Sequence, residues 1–328
     1  MNPMRARLLA AACCAGALAL AGCGGDSGMD ASKPAPVSVP ADFPKAGGKT
    51  LAELRKELGP GGPVIAPAVS QLERGKNRLG FGLFDRSRAQ IVDAPVALYL
   101  ARAGGGPVKG PFIARYESLK TEPNFESRSV ASDPDAAKSV YTAEVKFPTA
   151  GDYEVLGIVR LDDRLVAATP AGRALRVLKD SSVPEVGERA PRISTPTSAD
   201  VGGALKKIDT RVPPGTMHDE DFADVVGKKP VVLLFSTPAL CQQRVCGPVV
   251  DIAEQVKEKL GAKATFIHME IFNGNEVEKG LRPQVTAFKL QTEPWLFTIG
   301  RDGRIAERIE GPFSARELEL AVAKATKG

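Results

Sequence analysis

The chain has 328 residues, 43% hydrophobic and 25% charged, and its formal net charge of +5 falls to +3 once Arg5 and Arg7 are set aside with an amino-terminal leader. That length predicts two domains with room for real cores, and so small a basic excess, with no basic run, predicts no nucleic-acid surface. The 33 Gly and 26 Pro point to a sheet-rich chain with many turns and flexible joins.

Residues 1–22 read as that leader. Met1 to Arg7 carries two cations, Leu8 to Leu20 is a small apolar core, and Leu20-Ala21-Gly22-Cys23 closes it. This is the three-part pattern of a secretory signal, and the apolar core is shorter than the roughly 20 residues of a stable membrane span. The last four residues resemble the lipobox of bacterial lipoproteins. The resemblance implies cleavage before Cys23, a diacylglycerol on its sulfur, and a lipid-anchored position outside the cytosol at a bacterial cell membrane. Of five cysteines, Cys13 and Cys14 then leave with the leader and Cys23 takes the lipid. Cys241 and Cys246 remain, in a compartment where disulfides persist.

Residues 23–62 are rich in Gly, Ser, Pro and Ala and poor in bulky apolar residues, so they are expected to form a flexible tether. A short helix is expected from Thr50 to Leu58, ended by Gly59-Pro60-Gly61-Gly62. From 63 to 178 short alternating runs follow one another: Arg78 to Phe84, Val96 to Leu100, Val140 to Phe147, Tyr153 to Val159 and Ala174 to Leu178. Such strands between turns predict an all-β antiparallel sandwich. The phrase Phe147-Pro-Thr-Ala-Gly-Asp-Tyr-Glu-Val155 resembles the hairpin of immunoglobulin-like bacterial extracytoplasmic domains, which implies an immunoglobulin-like sandwich. This half has no His or Cys. Asp133-Pro134-Asp135 and Asp162-Asp163 read as acidic turns rather than calcium ligands.

A linker is expected over 179–200, and in it Val186-Gly-Glu-Arg-Ala-Pro191 resembles the opening segment of thioredoxin-like proteins. From 201 to 328 strands and helices alternate, as a sheet with covering helices requires. A helix is expected near Asp219–Val226, a buried strand over 230–236, a helix over 249–260 and a strand over 264–272. A looser helical stretch follows over 275–288. Strands at 296–299 and 305–309 then flank an Asp302-Gly303 turn. The last helix opens at Ser314, where Glu317 completes a capping box. This order resembles the thioredoxin fold, an α/β architecture. Three motifs carry the resemblance: Phe235 through Pro248, Glu293-Pro294, and Gly300-Arg-Asp-Gly-Arg304. It implies thiol–disulfide exchange with protein thiols and disulfides, no cofactor, and a cis Pro294 that organises the substrate backbone beside the active sulfur.

The cysteines depart from that family's pattern: the spacing is Cys-x-x-x-x-Cys, not Cys-x-x-Cys. Counted from Phe235, Cys241 takes the nucleophile's place. Anchored on Cys246-Gly-Pro-Val249, Cys246 takes it and Cys241 resolves from the loop. On a continuous helix five residues turn about 500°, which would point the sulfurs apart, so one cysteine has to leave the helix. Cys241 is the choice, and the favoured attacker. Arg244, between them, reads either as a thiolate stabiliser or as a solvated loop arginine. The rival reading is a structural Cys241–Cys246 disulfide in a non-enzymatic interaction or copper-handling lipoprotein. His218 and His268, the only histidines, read as a capping or surface residue and a structural strand residue, so no metal site is expected.

Overall fold

A computed structural model describes residues 38–58, 62–172 and 174–327. The expected leader, the lipidation expected at Cys23 and the first part of the expected tether lie outside the described residues. The amino-terminal half contains α1 (Leu51–Lys56), β1 (Val64–Pro67), β2 (Leu72–Glu73), β3 (Gly75–Phe84), β4 (Val96–Arg102) and β5 (Lys109–Ser118). The helical turn α2 (Arg128–Ala131) interrupts the connection to β6 (Ser139–Phe147), and β7 (Gly151–Leu161), β8 (Arg164–Pro170) and β9 (Leu175–Leu178) complete it.

The strands do not form the expected immunoglobulin-like sandwich. β7, β4, β5, β6, β3, β1 and β8 pair in that order, and β8 pairs back onto β7, so seven strands close a barrel. Alternation specifies which face of a strand is buried and not which edges meet, so a sandwich and a barrel read alike in sequence. Here β7 is long enough for its second edge to take β9 at Gly151–Tyr153 and β8 at Gly157–Leu161. An odd ring needs one parallel pair, and β1 with β8 supplies it. Leu79, Phe81 and Leu83 point into the barrel from β3, with Tyr141 and Phe147 from β6.

Part of the expected tether packs on that barrel. β4 is buried on both faces from Val96 to Ala101, because Phe43 and Leu54 cover Ala97, Tyr99 and Ala101 on its outer side. The helix expected after Thr50 forms, with Thr50 and Glu53 making a capping box. Two apolar anchors suffice to order a segment whose average composition reads as linker.

The carboxy-terminal half is an α/β region with the alternating strands and helices expected from the sequence. It comprises α3 (Phe222–Val225), β10 (Val231–Phe235), α4 (Cys246–Leu260), β11 (Thr265–Met269), α5 (Pro283–Ala287), β12 (Trp295–Ile299), β13 (Ile305–Glu310) and α6 (Ala315–Ala325). The sheet order is β11-β10-β12-β13, parallel between β10 and β11 and antiparallel elsewhere. Val232 and Leu234 face α4 and α6, whereas Val231, Leu233 and Phe235 face the α3 and α5 side. Every residue of β10 is therefore buried, which is why it reads as a continuous apolar run.

α4 begins three residues before the expected start. Gly247-Pro248 is its first turn rather than a break, since proline there forfeits only an N–H that has no intrahelical partner. The stretch expected as a loose helix over 275–288 resolves into 3₁₀ turns at Asn273–Asn275 and Val277–Lys279, followed by α5. Part of the expected linker joins the sheet edge, where Gly187 and Ala190 donate to the carbonyls of Ile305 and Gly303.

The two halves pack as one unit. Arg78 of β3 forks onto Glu317 of α6 at 2.7 Å, and Glu310 accepts from Ser70 and the Gln71 N–H. Gly311 sits in the left-handed region, and a Cβ there would stand 2.3 Å from the Ala68 carbonyl oxygen. Only glycine allows that approach.

Candidate functional site

The cysteine loop leaves β10 at Ser236. The N–H groups of Leu240 and Cys241 both donate to the Thr237 carbonyl, and Arg244 donates back to the Cys241 carbonyl. Arg244 takes a left-handed φ of 57°, which turns the chain into α4 two residues before Cys246. Cys241 thus sits in irregular chain and Cys246 is the first helical residue. Leaving the helix lets cysteines five positions apart come together, close enough for each thiol to shift the other's pKa.

The pair is electrostatically unequal. The Cys246 thiol donates to Cys241 and, with the N–H groups of Val245, Cys246 and Gln243, outweighs burial and draws the Cys241 pKa down to about 7. These amides belong to the turn and to the start of α4, where N–H groups lack helical partners and favour an anion. Burial, first, and then the Cys241 charge push Cys246 well above the ordinary thiol value. Cys246 has no exposed surface, and Cys241 keeps 8%.

Cys241 opens into a groove of about 850 Å³ with two walls. One is its own loop. The other is the β5–β6 connection of the barrel, including Ser129, Val130, Asp133 and Asp135. Arg244 spans the walls: its guanidinium donates to Asp133 at 2.6 Å, and its carbonyl accepts from Ala137 N–H at 3.0 Å. Asp133 also accepts from the Asp135 N–H, so the acidic turn read from sequence also anchors the arginine. The groups that lower the Cys241 pKa most are Cys246 and backbone amides, while Arg244 is held by Asp133 and half exposed. Arg244→Gln should therefore shift the pH midpoint of Cys241 alkylation by less than about 0.5 unit, as screening by water predicts for an exposed charge. A rise of a full unit would make the arginine a thiolate stabiliser.

Glu293-Pro294 is cis. The β10–β12 register pairs Phe235 with Trp295, which puts Pro294 across from Ser236 at the sheet end that carries the cysteine loop. Pro294 is not among the residues lining the Cys241 groove.

The two histidines, expected as unrelated surface and strand residues, lie side by side and buried. His218 and His268 have ring centroids 5.5 Å apart, and Asp209 joins them from a third segment. His218 Nε2 lies 2.9 Å from Asp209 Oδ2, and His268 Nδ1 lies 3.7 Å from Asp209 Oδ1. Asp209 also accepts from the N–H groups of Arg211 and Gly215. Burial opposes charge at His268, but Asp209 and Glu270 outweigh it and push its pKa up to about 9. The three residues come from separate segments, so no local spacing announces them.

No protein-family model and no curated protein matches the chain. Among solved structures, it is similar to a thiol:disulfide interchange protein of the thioredoxin family from Chlorobium tepidum TLS. That likeness has 17% identity and a TM-score of 0.31 over 45% of this chain and 99% of the other. It is also similar to a putative thiol:disulfide interchange protein DsbE from Chlorobium tepidum, with 17% identity and a TM-score of 0.32, over 44% of this chain and 99% of that one.

Proposed function

We propose that the chain is a thiol–disulfide oxidoreductase, held outside the cytosol by lipid on Cys23, that exchanges disulfides with partner proteins through Cys241 and Cys246. The observation that carries this reading is the inequality of the pair: a thiol lining the groove and drawn down to about 7, beside a fully buried thiol at a helix start. In the reducing direction the Cys241 thiolate attacks a partner disulfide, forming a mixed disulfide and releasing one partner thiolate. Cys246 gives up its proton and attacks the Cys241 sulfur, which closes the Cys241–Cys246 disulfide and releases the second partner sulfur. Two electrons pass to the partner, whose sulfurs take up two protons, and oxidation of a partner dithiol is the reverse.

The groove suits an extended cysteine-bearing segment, since a flat folded face cannot reach a thiol with 8% of its surface exposed. Pro294, by the thioredoxin resemblance, would align that segment's backbone from the sheet end.

The test is the reduction potential of the couple, by equilibration with glutathione or dithiothreitol and thiol trapping. A value within about −120 to −270 mV is expected, the range of known exchange proteins. A value below about −300 mV would mark a structural staple and end the oxidoreductase reading.

A further inference from the structure

His268 is wholly buried, and its side chain poses a problem of charge. Nε2 lies 3.0 Å from the Ser236 carbonyl oxygen. A carbonyl only accepts, so Nε2 carries a proton. Nδ1 has no hydrogen-bond partner although it is buried. It faces the Asp209 carboxylate at 3.7 Å, beyond hydrogen-bond reach for N–H···O. A neutral Nδ1 would aim a lone pair at an anion, and a protonated one would spend its proton on no hydrogen bond. The charged ring keeps its ion pair with Asp209, but in either arrangement a buried polar atom goes without a hydrogen bond, which costs stability.

A metal ion between the two removes the conflict. Ligand atoms about 2.1 Å from a shared ion stand roughly 3.0 to 3.6 Å apart as the angle between them opens from a right angle to 120°. The 3.7 Å of His268 Nδ1 to Asp209 Oδ1 lies at the wide edge of that span, and the 2.9 Å hydrogen bond between His218 Nε2 and Asp209 Oδ2 opens as the ion replaces its proton. The three donor atoms lie within 4.8 Å of one another. A buried ring that gives its far N–H to a backbone carbonyl is the usual outer support of a histidine ligand. Two residues beyond His268, Glu270 is buried with Oε2 unpartnered, a second anion that a divalent cation would offset.

We infer that Asp209, His218 and His268 form a binding site for one divalent transition-metal ion of the zinc class, behind the cysteine loop and separate from it. Two imidazoles and a carboxylate are borderline donors suited to such an ion. All three ligands are buried, so the ion enters as the chain folds and leaves slowly.

The test uses the full chain with Cys241→Ser and Cys246→Ser, so that the thiolates of the neighbouring cysteine pair hold no metal, produced in zinc-supplemented medium and dialysed against a weak chelator. Elemental analysis is expected to find about one Zn²⁺ per chain, the load of a closed three-to-four-ligand site. Imidazole ¹⁵N spectra of the same protein are expected to show His268 Nδ1 bound to metal. Folded protein with only trace zinc, or a His268 Nδ1 that carries a proton in the zinc-grown sample, overturns the inference. Asp209→Asn, which keeps an acceptor for the Arg211 N–H, should abolish the load, and full zinc retention there overturns it too. Were that variant not to fold, the ring spectra of the intact site decide by themselves.

Discussion

Replacing Cys246 with Ser is expected to stop exchange at the mixed disulfide, so that partner proteins stay covalently attached through Cys241. Cys241→Ser should reduce exchange to the background of buffer thiols and trap nothing. In the Cys246→Ser chain the alkylation midpoint of Cys241 should rise above about 7, because the thiol that does most to hold its anion is gone; a serine hydroxyl in the same place restores part of the shift. Cys246 should resist alkylation in the folded native chain at every pH where the fold persists, since it has no exposed surface. If Cys241→Ser traps partners instead, Cys246 is the attacker and the second way of aligning the cysteines is right.

The lowered pKa of Cys241 gains less in attack than it first suggests. At pH 7 a thiol of pKa about 7 is half ionised, against roughly 3% for an ordinary cysteine, a factor of about 16. Intrinsic nucleophilicity falls with pKa and returns a factor of about 5, leaving roughly threefold. The larger benefit comes when Cys241 is the leaving sulfur, since a less basic thiolate departs faster. The sign for stability is equally definite. The folded pKa lies below that of an unfolded thiol, so ionised Cys241 stabilises the reduced fold above the unfolded pKa, and this contribution is lost as pH falls through about 7.

What could be read in advance divides by range. β10 and the apolar face of α4 were legible because a buried strand and an amphipathic helix write their periods into consecutive residues. The Ser314–Glu317 capping box was legible for the same reason, as both partners lie in one turn. The closure of the barrel was not, because β1 and β8 meet across a hundred residues with nothing in either strand to name the other. The docking of Phe43 and Leu54 escaped notice since two anchors barely move the composition of a 40-residue segment. At the site, the cysteines announced themselves, but the wall facing them comes from the barrel. Asp133 read as a turn acid, which it is, and nothing nearby marks it as the partner of Arg244.

That wall rests on a buried carboxylate, and Asp251→Ala is expected to cost roughly 3–5 kcal/mol, the usual price of orphaning a buried charge. Asp251, on α4, accepts from the N–H and hydroxyl of Ser127 at 2.8 and 2.9 Å, and from Arg211 Nε at 2.7 Å. Arg211 in turn donates to the Phe125 carbonyl, so one cation and one anion fasten the β5–β6 connection to α4. Burial pushes the Asp251 carboxyl above its ordinary value despite both partners. Desolvation therefore outweighs pairing, and the ion pair adds little net stability over an apolar substitute. The large loss in the single variant comes from the stranded Arg211 and the unpaired Ser127 groups. The double variant Arg211→Met with Asp251→Leu should recover the part due to the stranded Arg211, leaving that of the Ser127 groups, which urea unfolding of all three proteins will measure. Native stabilities run to about 5–15 kcal/mol, so Asp251→Ala can survive folded, but with its wall loosened. Cys246 should then become open to alkylation in the native state. A cost under about 1 kcal/mol, with Cys246 still protected, would mean that the barrel connection holds to α4 by other contacts.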